Sequence, residues 1–188
     1  MKILKLSLAS IAVSTALFAG TYNVDASHTN AGFTVKHMMI TNVTGKFNDI
    51  SGAFEFDEKT NTLKSINGEI VAASIDTANE KRDEHLKSEE LFGVEKFPKI
   101  TFKSTKIEKN KVYGELTMKG VTKAVTLDLE TSGVITDPWG KQRTGFSLNG
   151  KIKRTDFGIS WNKALETGGV AVSDEVKLSV DIEGILAN

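Results

Sequence analysis

Residues 74–104, SIDTANEKRDEHLKSEELFGVEKFPKITFKS, include a polar, helix-like segment, whereas most of the remaining chain alternates between apolar and polar residues. Asn79 is a good N-cap, and acidic residues follow it in the first turn, where the helix dipole favours negative charge. Leu86 and Leu91 offer one small apolar face, and Gly93 ends the helical pattern. A helix this short is marginal by itself. The stretch therefore predicts a flap, residues 79–97, that packs on or across a sheet.

The segments on both sides of the flap show the period-two alternation of β-strands. The clearest are residues 33–37, 53–57, 100–103, 111–118, 125–130, 146–153 and 176–183. Each has one apolar and one polar face, which is typical of an antiparallel sheet. Roughly eight or more such strands must close or stack to hide their apolar faces, and a sandwich and an up-and-down barrel both satisfy this. The pattern predicts an all-β fold and leaves these two architectures open.

The first residues have the pattern of a secretory signal peptide. Lys2 and Lys5 make the N-terminus positive, and residues 3–18 are largely apolar. Small residues then lead to Ala19, after which we place the cleavage site. This assigns residues 1–19 to the signal peptide and residues 20–188 to one folded domain. The chain has no cysteine, which is compatible with a periplasmic domain whose core is large enough to need no disulfide. We therefore expect a protein exported to the bacterial periplasm.

Composition argues against several classes of function. The chain has 24 basic and 24 acidic residues and no dense basic block, so we expect no nucleic-acid partner. The absence of cysteine excludes thiolate metal sites and cysteine nucleophiles. The three histidines are not spaced as metal ligands, and we expect no metal site and no cofactor.

A hydrolytic site is not predicted either. Asp83, His85 and Ser88 resemble a triad in composition, but at these spacings on one helix they do not converge on one face. The sequence contains no G-x-S-x-G motif. Asp83 is expected instead to anchor the flap to the rim together with Arg82. Trp139, in a predicted turn, is expected to pack over one end of the sheet.

The strand motifs and the flap together resemble one known family. The matching segments are residues 33–39 (FTVKHMM), 74–77 (SIDT), 82–88 (RDEHLKS), 97–104 (FPKITFKS) and 154–158 (RTDFG). In these segments, and over nearly the whole mature length, the chain is similar to the YceI family of bacterial periplasmic, lipocalin-like proteins.

The resemblance has definite implications for fold and function. It implies an extended antiparallel up-and-down barrel of lipocalin type, with about eight strands and a short helical flap. It also implies a long apolar tunnel that holds a polyisoprenoid or similar lipid, export to the periplasm, and homodimers. It does not imply an enzyme. The chain departs from the family pattern at residues 90–93 (ELFG), where the family more usually has two aromatic residues and an aspartate. This departure affects only the expected shape of the flap's end.

The inward strand positions and the flap supply the predicted site. Residues expected to line the tunnel are Phe33, Val35, Met38, Phe47, Phe54, Phe56, Leu86, Phe92, Phe97, Phe102, Leu116, Met118, Leu127, Phe146, Leu148, Phe157 and Leu178. Polar residues expected at its mouth are His37, Asp83, His85, Arg154 and Asp156.

Three functions are compatible with this sequence. The leading hypothesis is a periplasmic carrier or store for a polyisoprenoid or other long-chain lipid, with a membrane or membrane protein as donor or acceptor. The second is a stress-related interaction protein whose barrel is filled by its own side chains, which a barrel of this size permits. The third is an enzyme that acts on an isoprenoid with His37 or His85 as acid or base.

Overall fold

The computed structural model describes residues 19–166 and 168–187. The predicted signal peptide, residues 1–19, lies outside the described residues except for Ala19, and it stays a prediction. The strands are β1 Gly20–Val24, β2 Asn30–His37, β3 Thr41–Phe47, β4 Ile50–Asp57, β5 Thr62–Val71, β6 Ile75–Asp76, β7 Lys99–Glu108, β8 Lys111–Met118, β9 Val121–Thr131, β10 Ile135–Thr136, β11 Gln142–Lys153 and β12 Val172–Leu186. The α-helix of the described residues is α1, Glu80–Lys87.

Eight antiparallel strands form a closed ring. In order around it they are β11, β9, β8, β7, β5, β4, β1 and β12, and β12 pairs with β11 to close the barrel. Closure leaves no unpaired edge within the ring. Strand alternation alone left a barrel and a sandwich open, and the structure is a barrel. The predicted fold class is confirmed.

The long strand β12 extends the barrel beyond this ring. Its C-terminal part pairs with β1, and its N-terminal part, from Asp181 back to Val172, pairs with β2. The short 3₁₀ turn Ala26–His28 separates β1 from β2. Strand β3 pairs with β2, and β6 pairs with β3. The chain therefore enters α1 directly from this extended end of the barrel.

The flap begins where its sequence predicts. The side chain of Asn79 accepts a hydrogen bond from the backbone N–H of Arg82 at 3.0 Å, so Asn79 is the N-cap. After Lys87 the chain continues through turns, and Gly93 has a φ of +57°, a conformation that favours glycine. No helix within the described ranges is long and apolar enough to cross a membrane.

The interior contains two clusters of buried side chains. The first is Tyr22, Phe54, Phe56, Leu63, Ile66, Val112, Leu127, Leu129, Phe146 and Leu148. In it the ring of Phe54 stacks on Tyr22 at 5.4 Å and meets the edge of Phe146 at 5.0 Å. The second, beneath the flap, is Ala72, Leu91, Ile100, Met118, Phe157 and Ile159. One half of the barrel is therefore filled by its own side chains.

An ion-pair network joins three segments at the end of the barrel away from the flap. Arg143 donates to Asp25 at 2.7 Å, to Glu183 at 2.6 Å and to Asp137 at 2.7 Å. Hydrogen bonds from Ser27, His28 and Arg143 hold the pKa of Asp25 well below its ordinary value. Arg143 lowers the pKa of Asp137 in the same way.

The turn at this end differs from its prediction. The side chain of Trp139 is 81% exposed, so the expectation that it packs over the barrel end is wrong. The carboxylate of Asp137 holds the turn instead, because it accepts the backbone N–H groups of Trp139 at 3.0 Å and Lys141 at 2.9 Å.

Candidate functional site

A cavity of about 310 Å³ lies beneath the flap. Its walls are almost entirely apolar and come from strands β2, β3, β8, β11 and β12, from α1 and the turns after it, and from the chain between β11 and β12. Its volume is at the lower end of the range for small-molecule sites, about 300–1,000 Å³. The lining residues are Phe33, Val35, His37, Val43, Phe47, Thr77, Arg82, His85, Leu86, Leu91, Phe92, Met118, Ile152, Arg154, Ile159, Trp161, Ala171, Val172, Val176 and Leu178.

Strand alternation builds the sheet wall of the cavity. Phe33, Val35 and His37 are at alternate positions of β2 and share the inward face. In the neighbouring strand Val176 lies opposite Val35, and Leu178 lies opposite Phe33. Cross-strand pairs of this kind place large apolar side chains next to each other on one face.

Gly45 makes room for the largest of these side chains. It lies opposite Phe33 in β3. A Cβ atom at this position would overlap the Phe33 ring and would lie 2.8 Å from the Cγ2 methyl of Thr77. The missing side chain therefore lets both the β2 wall and the start of the flap approach β3 closely.

A three-residue clamp fixes the start of the flap. Arg82 donates from Nε to the hydroxyl of Thr77 at 2.7 Å and from Nη2 to its carbonyl at 2.7 Å. The carboxylate of Asp83 accepts the backbone N–H of Thr77 at 3.0 Å and its hydroxyl at 2.5 Å. Thr77 is buried, so these hydrogen bonds are protected from water. Arg82 and Asp83 anchor the flap as the sequence predicts.

Aromatic contacts hold the other end of the flap. The ring of Phe92 meets the edge of Phe47 at 5.9 Å, and Phe47 contacts Phe33 at 5.8 Å. The turn after α1 is thereby connected through β3 to the β2 wall. All three rings line the cavity, so any opening of the flap must separate this aromatic row.

His85 is held at the edge of the cavity by contacts with Glu90 and Trp161. Its Nε2 lies 3.0 Å from a carboxylate oxygen of Glu90, and its ring meets the edge of Trp161 at 4.9 Å. Ser88 donates its hydroxyl to the carbonyl of His85. Because Asp83 bonds Thr77 instead, the three residues that resemble a triad in sequence do not form one.

Arg154 lines the cavity from the 3₁₀ turn Arg154–Phe157, which follows β11. Nε donates to the carbonyl of Ser173 at 3.0 Å, and Nη2 is 3.4 Å from that of Val172. Nη1 donates to the carbonyls of Ile159 at 2.7 Å and Trp161 at 2.8 Å. Burial lowers the pKa of the guanidinium, and the charge of nearby Asp174 partly offsets this.

The structure brings part of the predicted site together. Predicted tunnel residues at the cavity are Phe33, Val35, Phe47, Leu86, Phe92, Met118 and Leu178. Of the predicted mouth residues, His37, His85 and Arg154 line it, Asp83 lies next to it in the clamp, and Asp156 is exposed. Their role in binding stays a prediction.

The other predicted tunnel residues lie elsewhere, and their assignment needs correction. Phe54, Phe56, Phe102, Leu127, Phe146 and Leu148 belong to or pack against the first buried cluster. Leu116 and Phe157 do the same in the second. Met38 is 44% exposed, and the ring of Phe97 lies against Gly120. Alternation shows which side chains of a strand point into the barrel. It does not show which of them pack against each other and which of them line a cavity.

Several lining residues were absent from the predicted site: Val43, Thr77, Arg82, Leu91, Ile152, Ile159, Trp161, Ala171, Val172 and Val176. Ile152 and Val176 are on apolar strand faces, so alternation could have identified them. Ile159, Trp161 and Ala171 belong to the irregular chain between β11 and β12, which has no periodic signal.

A cluster of metal-ligand side chains occurs at the far end of the barrel. Ligand atoms of Asp25, His28 and Glu183 lie within 4.8 Å of one another. The guanidinium of Arg143 is bonded to both carboxylates and supplies the positive charge there. The cluster is therefore explained as part of the ion-pair network.

A family model described as the YceI-like domain matches residues 22–184. The chain belongs to this family. A UPF0312 protein of Staphylococcus aureus (strain N315) is 40% identical over 163 residues, which is 86% of this chain and 95% of the relative. The crystal structure of the Campylobacter jejuni YceI protein has 34% identity and a TM-score of 0.72, with 100% of both chains covered.

Two more distant structures share the YceI-like fold. BcnA of Burkholderia cenocepacia has 23% identity and a TM-score of 0.71, over 85% of this chain and 98% of that one. A polyisoprenoid-binding domain from Saccharophagus degradans, implicated in plant cell wall breakdown, has 15% identity and a TM-score of 0.68, over 90% and 100% of the chains. At this level of identity the likeness shows the fold.

Proposed function

We propose that this YceI-like protein binds the chain of a polyisoprenoid or other long-chain lipid in the cavity beneath the flap, as a periplasmic carrier or store. The observation that carries the proposal is the cavity itself, which is about 310 Å³ in volume and is lined mainly by apolar side chains of five strands, the flap and the chain between β11 and β12. The binding role of the Saccharophagus domain and the signal-peptide pattern of residues 1–19 support it. The proposed activity is binding without chemical turnover.

The apolar walls are sufficient for useful affinity. Transfer of a methylene from water to an apolar site stabilises the complex by about 0.8 kcal/mol. About ten buried methylenes give ~8 kcal/mol, equivalent to a micromolar dissociation constant before the costs of ordering are subtracted. Apolar burial is non-directional, so these walls distinguish poorly between chains of equal length.

The rim of the cavity includes an exposed apolar segment. Met38, Met39 and Ile40, at the turn between β2 and β3, are 44%, 52% and 79% exposed. The backbone N–H of Met38 donates to the carbonyl of Ala171, a lining residue, so this turn adjoins the cavity. A membrane donor or acceptor and a homodimer stay predictions.

The test is to identify and then block the ligand. Native mass spectrometry of protein purified from the periplasm without detergent should show a stoichiometric lipid adduct, identified after denaturing extraction. Leu178→Trp places a large ring in the cavity and should abolish the adduct, whereas Ile135→Trp, at a site 62% exposed and outside the cavity, should retain it. Circular dichroism checks that both variants fold, because overpacking costs about 1–3 kcal/mol.

Two results would overturn the proposal. An unchanged adduct in folded Leu178→Trp would place the lipid outside this cavity. A bare polypeptide mass that stays bare after incubation with polyprenyl lipids would mean that the protein does not bind them.

A further inference from the structure

Arg154 differs from the other buried charged residues of the described chain in its partners. Arg154 is 7% exposed. The other buried charged residues are two aspartates, Asp57 and Asp137, and each of them has a basic partner. Asp57 pairs with Lys64 at 3.5 Å, and Asp137 pairs with Arg143 at 2.7 Å. Within residues 19–166 and 168–187, no carboxylate oxygen lies within 4.0 Å of the Arg154 guanidinium. Neutral carbonyl groups surround its charge instead.

The carbonyl groups do not use all of its donors. A guanidinium has five N–H groups. Four hydrogen bonds are formed by Arg154, and the one from Nη2 is long, at 3.4 Å. One of the two N–H groups of Nη2 therefore has no hydrogen-bond acceptor among the described residues, and Arg154 is on the cavity wall.

The other ionisable residues of the cavity wall are basic, as Arg154 is. They are His37, Arg82 and His85, and the described lining contains neither aspartate nor glutamate. A cation inside low-dielectric surroundings is costly unless an anion or several good acceptors compensate it. The four carbonyl groups offset the desolvation of Arg154 but carry no negative charge, so a wall whose ionisable groups are basic and which is otherwise mainly apolar favours a ligand with a negative head group.

We infer that the cavity selects lipids whose head group carries anionic oxygen, a carboxylate or a phosphate, and that Arg154 binds that oxygen. The inference rests on the proposed lipid-binding function and specifies the ligand class. The apolar chain lies along the apolar walls of the cavity, and the head group meets Arg154. The carbonyl contacts of Arg154 orient the guanidinium, and the available N–H contributes a charge-assisted hydrogen bond.

Ligands that share one chain and differ only in the head group test this inference. Dodecanoate, dodecyl phosphate, dodecanol and dodecylamine would each be titrated against protein loaded with the neutral fluorescent probe N-phenyl-1-naphthylamine. The carboxylate or the phosphate should displace the probe at about tenfold lower concentration than the alcohol, as expected for one charge-assisted hydrogen bond. The amine should be the weakest. The carboxylate and phosphate arms show which anionic head is preferred.

The controls separate failure of this inference from failure of the proposed function. If the alcohol matches the carboxylate and the phosphate, head-group selection is wrong while lipid binding stands. If neither the probe nor any of the four compounds binds, the proposed function itself fails.

Variants assign the selectivity to Arg154. Arg154→Met should equalise the carboxylate and the alcohol, but it also removes four carbonyl contacts and can fail to fold. Asp174→Asn avoids this problem, because Asp174 accepts from the backbone and hydroxyl of Thr155 at 3.1 and 2.8 Å, contacts that an amide oxygen preserves. Removal of its charge strengthens the field of Arg154, so the preference for the carboxylate should rise by about twofold or more. An unchanged preference in folded Asp174→Asn would mean that Arg154 has a structural role alone.

Discussion

At the scale of single residues, the absence of a side chain at Gly45 shapes the cavity as much as the side chains that line it. The Phe33 ring occupies the space that a Cβ atom would need, and Thr77 approaches from the flap. Gly45→Ala should therefore push Phe33 into the cavity. We expect weaker lipid binding and a loss of about 1–3 kcal/mol of stability, the usual cost of overpacking.

Gly68→Ala is the matched control for this substitution. Gly68 is also in a strand of the barrel, but a Cβ atom there would meet only the carbonyl oxygen of Ser51, at 4.0 Å. The same change should leave lipid affinity unaltered and stability equal or higher by about 0.4–1 kcal/mol. Thermal unfolding and probe displacement on both variants check the pair. Equal affinities in the two variants would contradict the role given to Gly45.

Residue patterns predicted some of these positions and missed others for clear physical reasons. The cap at Asn79 depends on local chemistry, so it could be predicted. The inward faces of β2 and β12 follow from alternation. The role of Arg154 could not be predicted in this way, since its contacts are with carbonyl groups of a chain segment without periodicity. The position of Arg154 beside an apolar run predicted that it lies at the site, but it did not predict that carbonyl groups surround its guanidinium.

At the scale of elements, the flap is held by different forces at its two ends. Its start depends on the hydroxyl of Thr77, which accepts from Arg82 and donates to Asp83. Its end depends on the contact between Phe92 and Phe47. The hydrogen-bonded end is the easier one to weaken selectively, because valine has the shape of threonine without the hydroxyl.

Thr77→Val should therefore loosen the flap while keeping the barrel. Loss of the two hydrogen bonds, at about 1 kcal/mol each, should raise the rate of lipid release by roughly tenfold or more. Hydrogen exchange of the α1 amides should accelerate with it, and exchange in the first buried cluster should not. Thr126→Val, at an exposed position of β9, is the control and should change neither rate. Faster flap exchange with an unchanged release rate would show that lipid leaves without opening this end.

At the scale of the whole molecule, the barrel is divided into a filled half and a half that contains the cavity. Alternation correctly predicted inward side chains in both halves, but the resemblance implied one long tunnel. The structure fills the far half with a packed aromatic cluster around Phe54 and Phe146. Packing at each level depends on the sizes of side chains that meet across the barrel. Which side chains face each other depends on the register between strands, and the alternation within one strand does not give that register.

The filled half ends in the Arg143 network, which should make the stability of the whole barrel depend on acid. The folded-state pKa values of Asp25 and Asp137 lie below the ordinary 3.8 of the unfolded chain. Their stabilising effect is therefore fully present above about pH 4 and is lost as the pH falls through the folded-state values. The melting temperature should accordingly decrease on acidification below about pH 4.

Arg143→Gln tests whether this network is the cause. It should lower the melting temperature by several degrees at neutral pH, because two largely buried carboxylates lose their counter-ion. The difference from the wild type should then narrow as the pH falls below about 4, since protonated carboxyls no longer gain from the guanidinium. Lys111→Gln removes an exposed pair with Asp128 and should have little effect at any pH. A difference between Arg143→Gln and wild type that stays constant from neutral to acidic pH would mean that Arg143 stabilises the barrel end by packing and not by charge.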